Sequence, residues 1–441
     1  MTFPAPPSNP KEPCWLYSRL PMLEGLIPHF AHFSVIKRGK LWLLWTTGAC
    51  LLVALALMVI SGLFMALVYT PTETHAFTSV EDIMRRLPSG WFLRLLHQGG
   101  VFVLFIALYC HLGRGLWHGS YKIPRELTWL SGWTLFCGFL AIAFAGYCLP
   151  WGQLSYWAAT VSKNALDAVP FPSGGFGTWI FGAASFEDAG NPSAATVSLQ
   201  RLFIFHFAGA LFMLLLVAFH ILCVHGLGMR RTNPEPGEVG CCHRPSTKEK
   251  KKEKTGSCRS SSHCGQPNRR LPFYPYFVVN DIIGVILLLL LLFTIASFLP
   301  HWVSETENLL PANPMRTPSN IHPPWYLAPF FAILRAVPSE ILGLFSVLLA
   351  VCSIALLPWL DRSPKTEMSE RGILKLFFAL FIAAFAGLCF AGLKPPSTNL
   401  LWLARLCLGW WLIYAYAILP FFAWKERENK RKAQGLKEKI Q

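Results

Sequence analysis

Residues 94–115 read RLLHQGGVFVLFIALYCHLGRG. Two histidines, His97 and His111, stand fourteen residues apart in a run otherwise apolar enough to span a membrane. Arg94 lies three residues before the first and Arg114 three residues after the second. An arginine at the centre of a spanning helix costs roughly 2.5–3.5 kcal/mol on insertion scales, so polar groups placed this regularly need a reason.

A later stretch, RLFIFHFAGALFMLLLVAFHILCVH (201–225), repeats the interval with His206 and His220. At about 100° per residue, fourteen residues return to within roughly 40° of the starting face and rise about 21 Å. Each helix therefore carries two imidazoles on one face, separated by most of a roughly 30 Å hydrocarbon core. If the two helices run parallel, His97 meets His206 near one membrane face and His111 meets His220 near the other. Two planar metal macrocycles stacked across the bilayer would each find two axial imidazoles, which is the layout of a pair of b-type haems. The glycines share the period: Gly48 and Gly62 in one apolar run, Gly132 and Gly146 in another. Only glycine lacks the Cβ that would block close approach of backbone to a haem. A lone membrane histidine is commonly a packed residue, and a lone glycine pair commonly serves helix packing; the shared fourteen-residue interval favours haem. Arg94 and Arg114 can snorkel to the interface or meet haem propionates, and the propionate reading is preferred. Haems with both axial positions filled carry electrons and bind no reactant, so the chemistry must lie beside them.

The rest of the chain agrees with a membrane setting. Of 441 residues 53% are hydrophobic and 14% charged, against roughly 25% charged in soluble domains. Apolar runs of spanning length recur at about 41–68, 91–117, 128–149, 199–227, 277–299, 339–360, 372–393 and 399–424. The expectation is an all-α polytopic membrane protein with eight transmembrane helices: a four-helix haem bundle over 41–228 and a further four-helix portion over 271–424. Eight spans put both termini on one side. That side, with the loops near 118–127, 228–276 and 361–371, holds 30 of the 39 Lys and Arg. The positive-inside rule then places both termini in the cytoplasm, in a bacterial inner membrane or, less readily, a mitochondrial one. The net charge of +16 is thereby explained without nucleic acid, and the basic tail 425–441 is expected against anionic headgroups.

Other segments read as follows. The N-terminal arm, 1–40, shows no cleavable signal and has a candidate surface helix in EGLIPHFAHF. Residues 229–270 form a basic insertion expected to be disordered. Its Cys241, Cys242, His243, Cys258, His263 and Cys264 could ligate a metal, but their spacing matches no paired C-x-x-C ribbon, and a solvated insertion is favoured. The thirteen cysteines are expected mostly as free thiols. Two long loops, 150–198 and 300–338, are rich in Trp, Tyr, Phe and Pro, lie on the face opposite the termini, and are expected to carry function.

The motifs SVEDIMRRLPSGWFLRLLH, GSYKIPREL, GYCLPWGQLSYWAATV, PYFVVNDIIG and PANPMRT…PPWY resemble cytochrome b of respiratory cytochrome bc complexes. The likeness runs from about residue 37 to the last helix, outside the 229–270 insertion, and is to the long undivided form of proteobacteria and mitochondria. The resemblance implies a quinol–cytochrome c reductase subunit that works by a proton-translocating Q cycle. Ubiquinol or menaquinol is oxidised at an outer pocket, and quinone is reduced at an inner one. One electron goes to a Rieske-type iron–sulfur protein, and the other crosses through the His97/His206 and then the His111/His220 haem. A membrane-bound cytochrome c subunit and a dimeric complex are implied as well. By motif match the outer pocket comprises Phe144, Tyr147, Trp157, Ala158, Pro324, Trp325 and Tyr326, and the inner pocket His225 and Asp281. An imidazole and a carboxylate can bracket a quinone and deliver protons. A dihaem anchor subunit of another quinone-linked enzyme, or a haem-free transporter, are the competing readings.

Three positions depart from the family pattern. Pro323-Pro324-Trp325-Tyr326 stands where the family has Pro-Glu-Trp-Tyr, so the usual proton-accepting carboxylate is missing. Either Tyr147 and water carry that proton, or a loop carboxylate such as Glu305 or Glu307 substitutes. Ala158 replaces a common glycine and narrows the pocket entrance. Asn280 replaces a lysine beside Asp281.

Overall fold

The computed structural model describes residues 34–35, 42–172, 174–186, 194–226, 271–272 and 276–440. The chain divides into a larger unit, 43–227 with 284–441, and a smaller one, 1–42 with 228–283. Long apolar stretches dictate the helices, because a chain in hydrocarbon must satisfy its own backbone polar groups. In order these are α1 (Thr47–Ala66), α2 (Ala76–Arg85), α3 (Gly90–Trp117), α4 (Glu126–Cys148), α5 (Gln153–Asp167), α6 (Phe176–Phe181) and α7 (Ala194–Gly226). They continue as α8 (Tyr276–Phe298), α9 (Ala328–Ala336), α10 (Glu340–Ala355), α11 (Leu357–Leu360) and α12 (Leu374–Leu393). The last two, α13 (Thr398–Ile413) and α14 (Leu419–Ile440), join through a π-helical turn at Tyr414–Ile418. α8 begins in the smaller unit, which also holds a two-residue antiparallel pairing, β1 (Ser34–Val35) with β2 (Leu271–Pro272). Among the described residues no other strand pair occurs.

Among the described residues seven helices, rather than the eight expected, are long and apolar enough to cross a membrane: α1, α3, α4, α7, α8, α12 and the continuous α13–α14. The run expected at 339–360 is split. α10 has 16 residues, about 24 Å at 1.5 Å per residue, and the short α11 follows it after Leu356 with Pro358 in its first turn. Proline lacks the N–H needed to continue the ladder, so one apolar run becomes two helices. The surface of α7 shows what solvent these helices require: Ile204, Phe205, Phe212, Leu215 and Leu222 are all exposed. Only 6% of its spanning window is buried, so lipid or a bound group must cover the remainder.

Within the larger unit α1 packs along α3, α4 along α7, and α9 and α13 against α12. The connections form two clusters. In one, the loops expected on the face opposite the termini are stitched together by backbone. Gly152 bridges Pro311, the Gln153 amide donates to the Leu310 carbonyl at 2.9 Å and the Ala312 amide to Trp151 at 3.3 Å. The Gln153 side chain adds a bond from the Asn313 amide at 2.7 Å. Trp151 adopts φ +50°, a left-handed conformation costly for a side chain of its size. Its ring is buried against Tyr156 and Phe186. At the next residue a Cβ would fall 2.4 Å from the Asn308 carbonyl oxygen, so Gly152 is required for the two loops to touch.

The other cluster ties GSYKIPREL to the 361–371 loop and α14 through a buried ionic network. Asp361 Oδ2 accepts from the Tyr121 hydroxyl at 2.6 Å and Arg371 Nη1 at 2.7 Å, with Lys122 Nζ at 3.2 Å. Arg371 also pairs with Glu426 at 3.0 Å. Two cations face two carboxylates, and the Asp361 and Arg371 side chains are 0% and 1% exposed. Removing one member strands the others without water. Asp361→Asn is therefore expected to destabilise the protein by about 3–5 kcal/mol, read as a lowered thermal-unfolding midpoint in detergent, whereas Glu428→Gln, whose bond is to exposed Lys432, should leave the midpoint nearly unchanged.

The eight cysteines among the described residues are free. The candidate surface helix, the Cys/His insertion 229–270 and nearly all of the N-terminal arm lie outside the described residues.

Candidate functional site

His97 faces His206 and His111 interacts with His220, and each of the four imidazoles is held from behind through Nδ1. His97 Nδ1 lies 2.9 Å from Ser61 Oγ, His111 Nδ1 3.2 Å from Thr47 Oγ1, and His220 Nδ1 2.8 Å from Ser131 Oγ. The fourth, His206 Nδ1, lies 2.8 Å from the Ile142 carbonyl oxygen. The direction of these bonds follows from the hydroxyls' own partners. Ser61 Oγ donates to the Leu57 carbonyl, Thr47 Oγ1 to Leu44 and Ser131 Oγ to Thr128. With its hydrogen committed to its own helix, each hydroxyl can only accept from the imidazole. A carbonyl can only accept as well. All four rings therefore carry the proton on Nδ1 and present the Nε2 lone pair, the form in which neutral imidazole ligates a metal.

Glycine makes this approach possible. A Cβ on Gly146 would fall 2.4 Å from His206 Cε1, one on Gly132 3.0 Å from His220 Cε1, and one on Gly62 3.1 Å from His97 Cε1. At Gly48 the corresponding distance to His111 is an ordinary 3.8 Å. The glycines admit the partner helix's imidazole as well as any group between the helices. That refines the expectation that they only clear space for a macrocycle.

The His97 and His206 rings face each other with centroids 6.2 Å apart and planes turned by 72°. A metal held by two imidazoles at about 2 Å each, every nitrogen sitting about 1.1 Å from its ring centre, needs roughly this separation. Both rings open onto a cavity of about 1320 Å³, part of it open to the surface, whose walls are almost wholly apolar: Leu55, Met58, Phe105, Phe139, Phe203 and Met213 are among them. Arg94 is buried and lines the same cavity, and none of the ion pairs among the described residues involves it. Glu81 acts on it electrostatically but is paired with Arg85, so this guanidinium in an apolar wall is left able to meet an anionic edge of whatever fills the cavity. The residues present therefore fit a b-type haem: two neutral axial nitrogens, an apolar slot and a cation for a propionate. Arg114 is placed differently, over the Trp45 ring at 5.1 Å.

The outer-pocket residues fall into two packed groups. Tyr326 stacks on Phe105 at 4.2 Å with an interplanar angle of 3°, and its carbonyl accepts from the Tyr109 hydroxyl at 2.7 Å. Trp325 packs edge-on to Phe102, and Pro324 opens a turn by accepting from the Leu327 amide at 2.9 Å. Phe144 and Trp157 belong with Tyr69, Tyr156 and Cys148 instead, and Ala158 is buried on α5. The indole N–H groups of Trp157 and Trp325 are buried without partners. Tyr147 donates to Glu305 Oε2 at 2.8 Å, and the other oxygen of Glu305 lies 3.5 Å from His322 Nδ1. Asp281 is half-buried on α8; the side chain of His225, on α7, lies outside the described residues.

The family models Cytochrome b/b6/petB and Cytochrome b(C-terminal)/b6/petD match residues 33–228 and 311–412. The chain belongs to the cytochrome b family. It is 33% identical to cytochrome b of Cereibacter sphaeroides over 424 residues, covering 92% of this chain and 88% of that one. It is 35% identical to cytochrome b of Rickettsia prowazekii (strain Madrid E) over 413 residues, 94% of each. A solved chain of a hyperthermophilic respiratory Complex III is similar with a TM-score of 0.78 and 27% identity, covering 93% of this chain and 98% of that one. Cytochromes b carry haem b, which agrees with the donor set described above.

The hydroxyl partners are residues the histidine pattern does not name, yet the sequence holds their signal. Each immediately precedes a glycine of the repeat: Thr47-Gly48, Ser61-Gly62, Ser131-Gly132. The fourth position is Ala145-Gly146, and there the backbone carbonyl of Ile142 takes over. Gly146→Ala is expected to displace the His206 ring and remove about half of the haem b from the purified protein, measured by pyridine haemochrome. Gly48→Ala, whose new methyl meets the ring at ordinary contact distance, should retain the full content.

Proposed function

We propose that this chain is the quinol-oxidising and quinone-reducing subunit of a quinol–cytochrome c oxidoreductase. The observation that carries the reading is the set of four imidazoles, two near each end of one bundle, all fixed as Nε2 donors by partners on neighbouring helices. His97 with His206 and His111 with His220 would each hold one b-type haem, with Arg94 meeting a propionate of the first. When bound, such haems would supply two one-electron carriers, and the residues that would hold them lie about 21 Å apart along the helices.

Counting α10 with α11 as a shorter crossing gives eight spans. Both termini then lie on the cytoplasmic side, together with the ionic cluster at Asp361, in a bacterial inner membrane. The stitched aromatic loops would form the opposite face and the wall of the quinol pocket, with Tyr147, Trp325, Tyr326, Phe144, Pro324 and Ala158 as its residues. These loops favour the reading over a dihaem anchor subunit, which has no use for them. One electron from quinol leaves to a Rieske-type iron–sulfur protein and thence to a membrane-bound cytochrome c, and the other crosses the membrane. His225 and Asp281 are the residues that would hand protons to quinone on the inner side. The complex is a dimer, and its quinone is ubiquinone or menaquinone.

The complex purified with its partners is expected to show a b-type band in a reduced-minus-oxidised spectrum and to reduce cytochrome c from added quinol; a preparation with neither is not this enzyme. Within it, His111→Leu should remove one of two b-type redox transitions and leave the other. A titration that still resolves both would break the assignment of the pairs.

A further inference from the structure

Pro324 carries no side-chain acceptor, yet quinol oxidation releases protons as well as electrons. We propose, resting on the reading above, that Glu305 takes one proton from quinol at the outer pocket through Tyr147 and passes it outward through His322. Three observations place these groups in series. Tyr147 follows Gly146, the residue against which the His206 ring packs, and lies near enough to Tyr326, another residue of the proposed outer pocket, to interact with it. That hydroxyl already donates to one Glu305 oxygen at 2.8 Å. The second oxygen faces His322 Nδ1 at 3.5 Å, and the His322 and Glu305 side chains are 24% and 27% exposed, so the chain of groups reaches solvent at this end. Glu307, the other loop carboxylate, has no hydrogen bond to Tyr147; it interacts with Glu305 only as a like charge.

The transfer balances as follows. A quinol hydroxyl donates to the Tyr147 oxygen, its O–H bond breaking as a new Tyr147 O–H forms. The proton formerly on Tyr147 moves to the Glu305 carboxylate, which becomes a neutral acid. His322, whose Nδ1 also lies 3.4 Å from the Pro323 carbonyl, takes that proton on Nδ1 once the nitrogen is free of that carbonyl, with its own proton on Nε2, which it then releases outward. The two electrons of the quinol leave to the one-electron acceptors named above, the iron–sulfur protein and the chain's own haem.

Glu305 suits the task because burial raises its carboxyl above the usual range, while His322 and the hydrogen bond from Tyr147 pull it back. The groups facing it are Tyr147 from α4, His322 and Tyr326 from the loop before α9 and from PPWY, and Glu307 from its own loop. A base must be ionised to accept, so outer-site turnover falls as pH drops through this raised value.

The test uses the intact complex in native membranes and a short-chain ubiquinol analogue. Glu305→Gln should lower quinol–cytochrome c reductase turnover by at least tenfold, at the low end of what general-base removal costs, on the order of 10²–10⁴-fold. It should also abolish the acid limb of the pH profile, leave both b-type redox transitions in place, and leave haem reduction through the inner pocket intact when the outer one is blocked. Glu305→Asp should restore part of the rate, and Glu307→Gln should match the parent. A Glu305→Gln variant within twofold of the parent and with the same acid limb overturns the proposal, as does a loss confined to Glu307→Gln. Should Glu305→Gln lose its haem spectrum, Tyr147→Phe and His322→Gln carry the test, and unchanged turnover in both overturns it. A parent complex that reduces no cytochrome c removes the functional reading itself, and the proposal with it.

Discussion

Each of the four imidazoles has one N–H to satisfy and one lone pair to offer, and in a membrane interior no water can do either. A buried N–H without an acceptor costs about 1–3 kcal/mol, so the acceptor behind each ring decides which nitrogen is left free. At three sites that acceptor is a hydroxyl whose own hydrogen is bound to the preceding turn of its helix, and at the fourth it is a backbone carbonyl. The carbonyl cannot reverse roles, and a hydroxyl could do so only by giving up its bond to its own helix. The ligating form of the histidine is thus set before any cofactor arrives, and with it the distance at which α1 must lie on α3 and α4 on α7.

The fourteen-residue interval is what lets one pair of helices do this twice. Fourteen residues are two heptads, and an ideal straight helix drifts roughly 20° per heptad. Helices that share the repeat can stay in contact over both rungs by coiling slightly about each other. The rungs run antiparallel within each pair: Gly62 meets His97 while Gly48 meets His111, and Gly146 meets His206 while Gly132 meets His220. The drift is not shared evenly. A Cβ at Gly146 would stand 2.4 Å from its ring and one at Gly48 3.8 Å, so the contact tightens at one end of the bundle and loosens at the other.

Much of this was legible because hydrocarbon leaves few options. Apolar runs must be helices, and histidines and glycines at a common interval must share a face, so the fold class and the glycine-to-histidine contacts followed from one-dimensional spacing. What was not legible depends on contacts between segments distant in the chain. Pro358 sits in a run that hydropathy alone reads as one span, and only the backbone shows the break. The choice between Glu305 and Glu307 cannot be made from two residues of separation; it rests on which one a hydroxyl 158 positions away reaches. Arg94 and Arg114 look equivalent in sequence, yet one lines the cavity and the other covers Trp45. The serine and threonine partners stood next to the glycines throughout, but a hydroxyl in a spanning helix ordinarily satisfies itself on its own backbone. Only the imidazole opposite gives it a second task.

The two ends of the larger unit treat buried carboxylates in opposite ways, and the difference follows from what surrounds each. Asp361 has the two cations Lys122 and Arg371 and a phenol on it, with Glu426 as the second carboxylate, paired to Arg371. Every donor is committed, and the cluster locks three segments together. Glu305 faces a phenol and a single imidazole whose side chain reaches solvent. No permanent cation neutralises it, so its available answer to burial is to bind a proton and release it again. A carboxylate on a loop can occupy such a place only if the loop is held still. Here the backbone bridge at Gly152 and the left-handed turn at Trp151 give an otherwise irregular segment the fixed geometry that helices provide elsewhere in the chain.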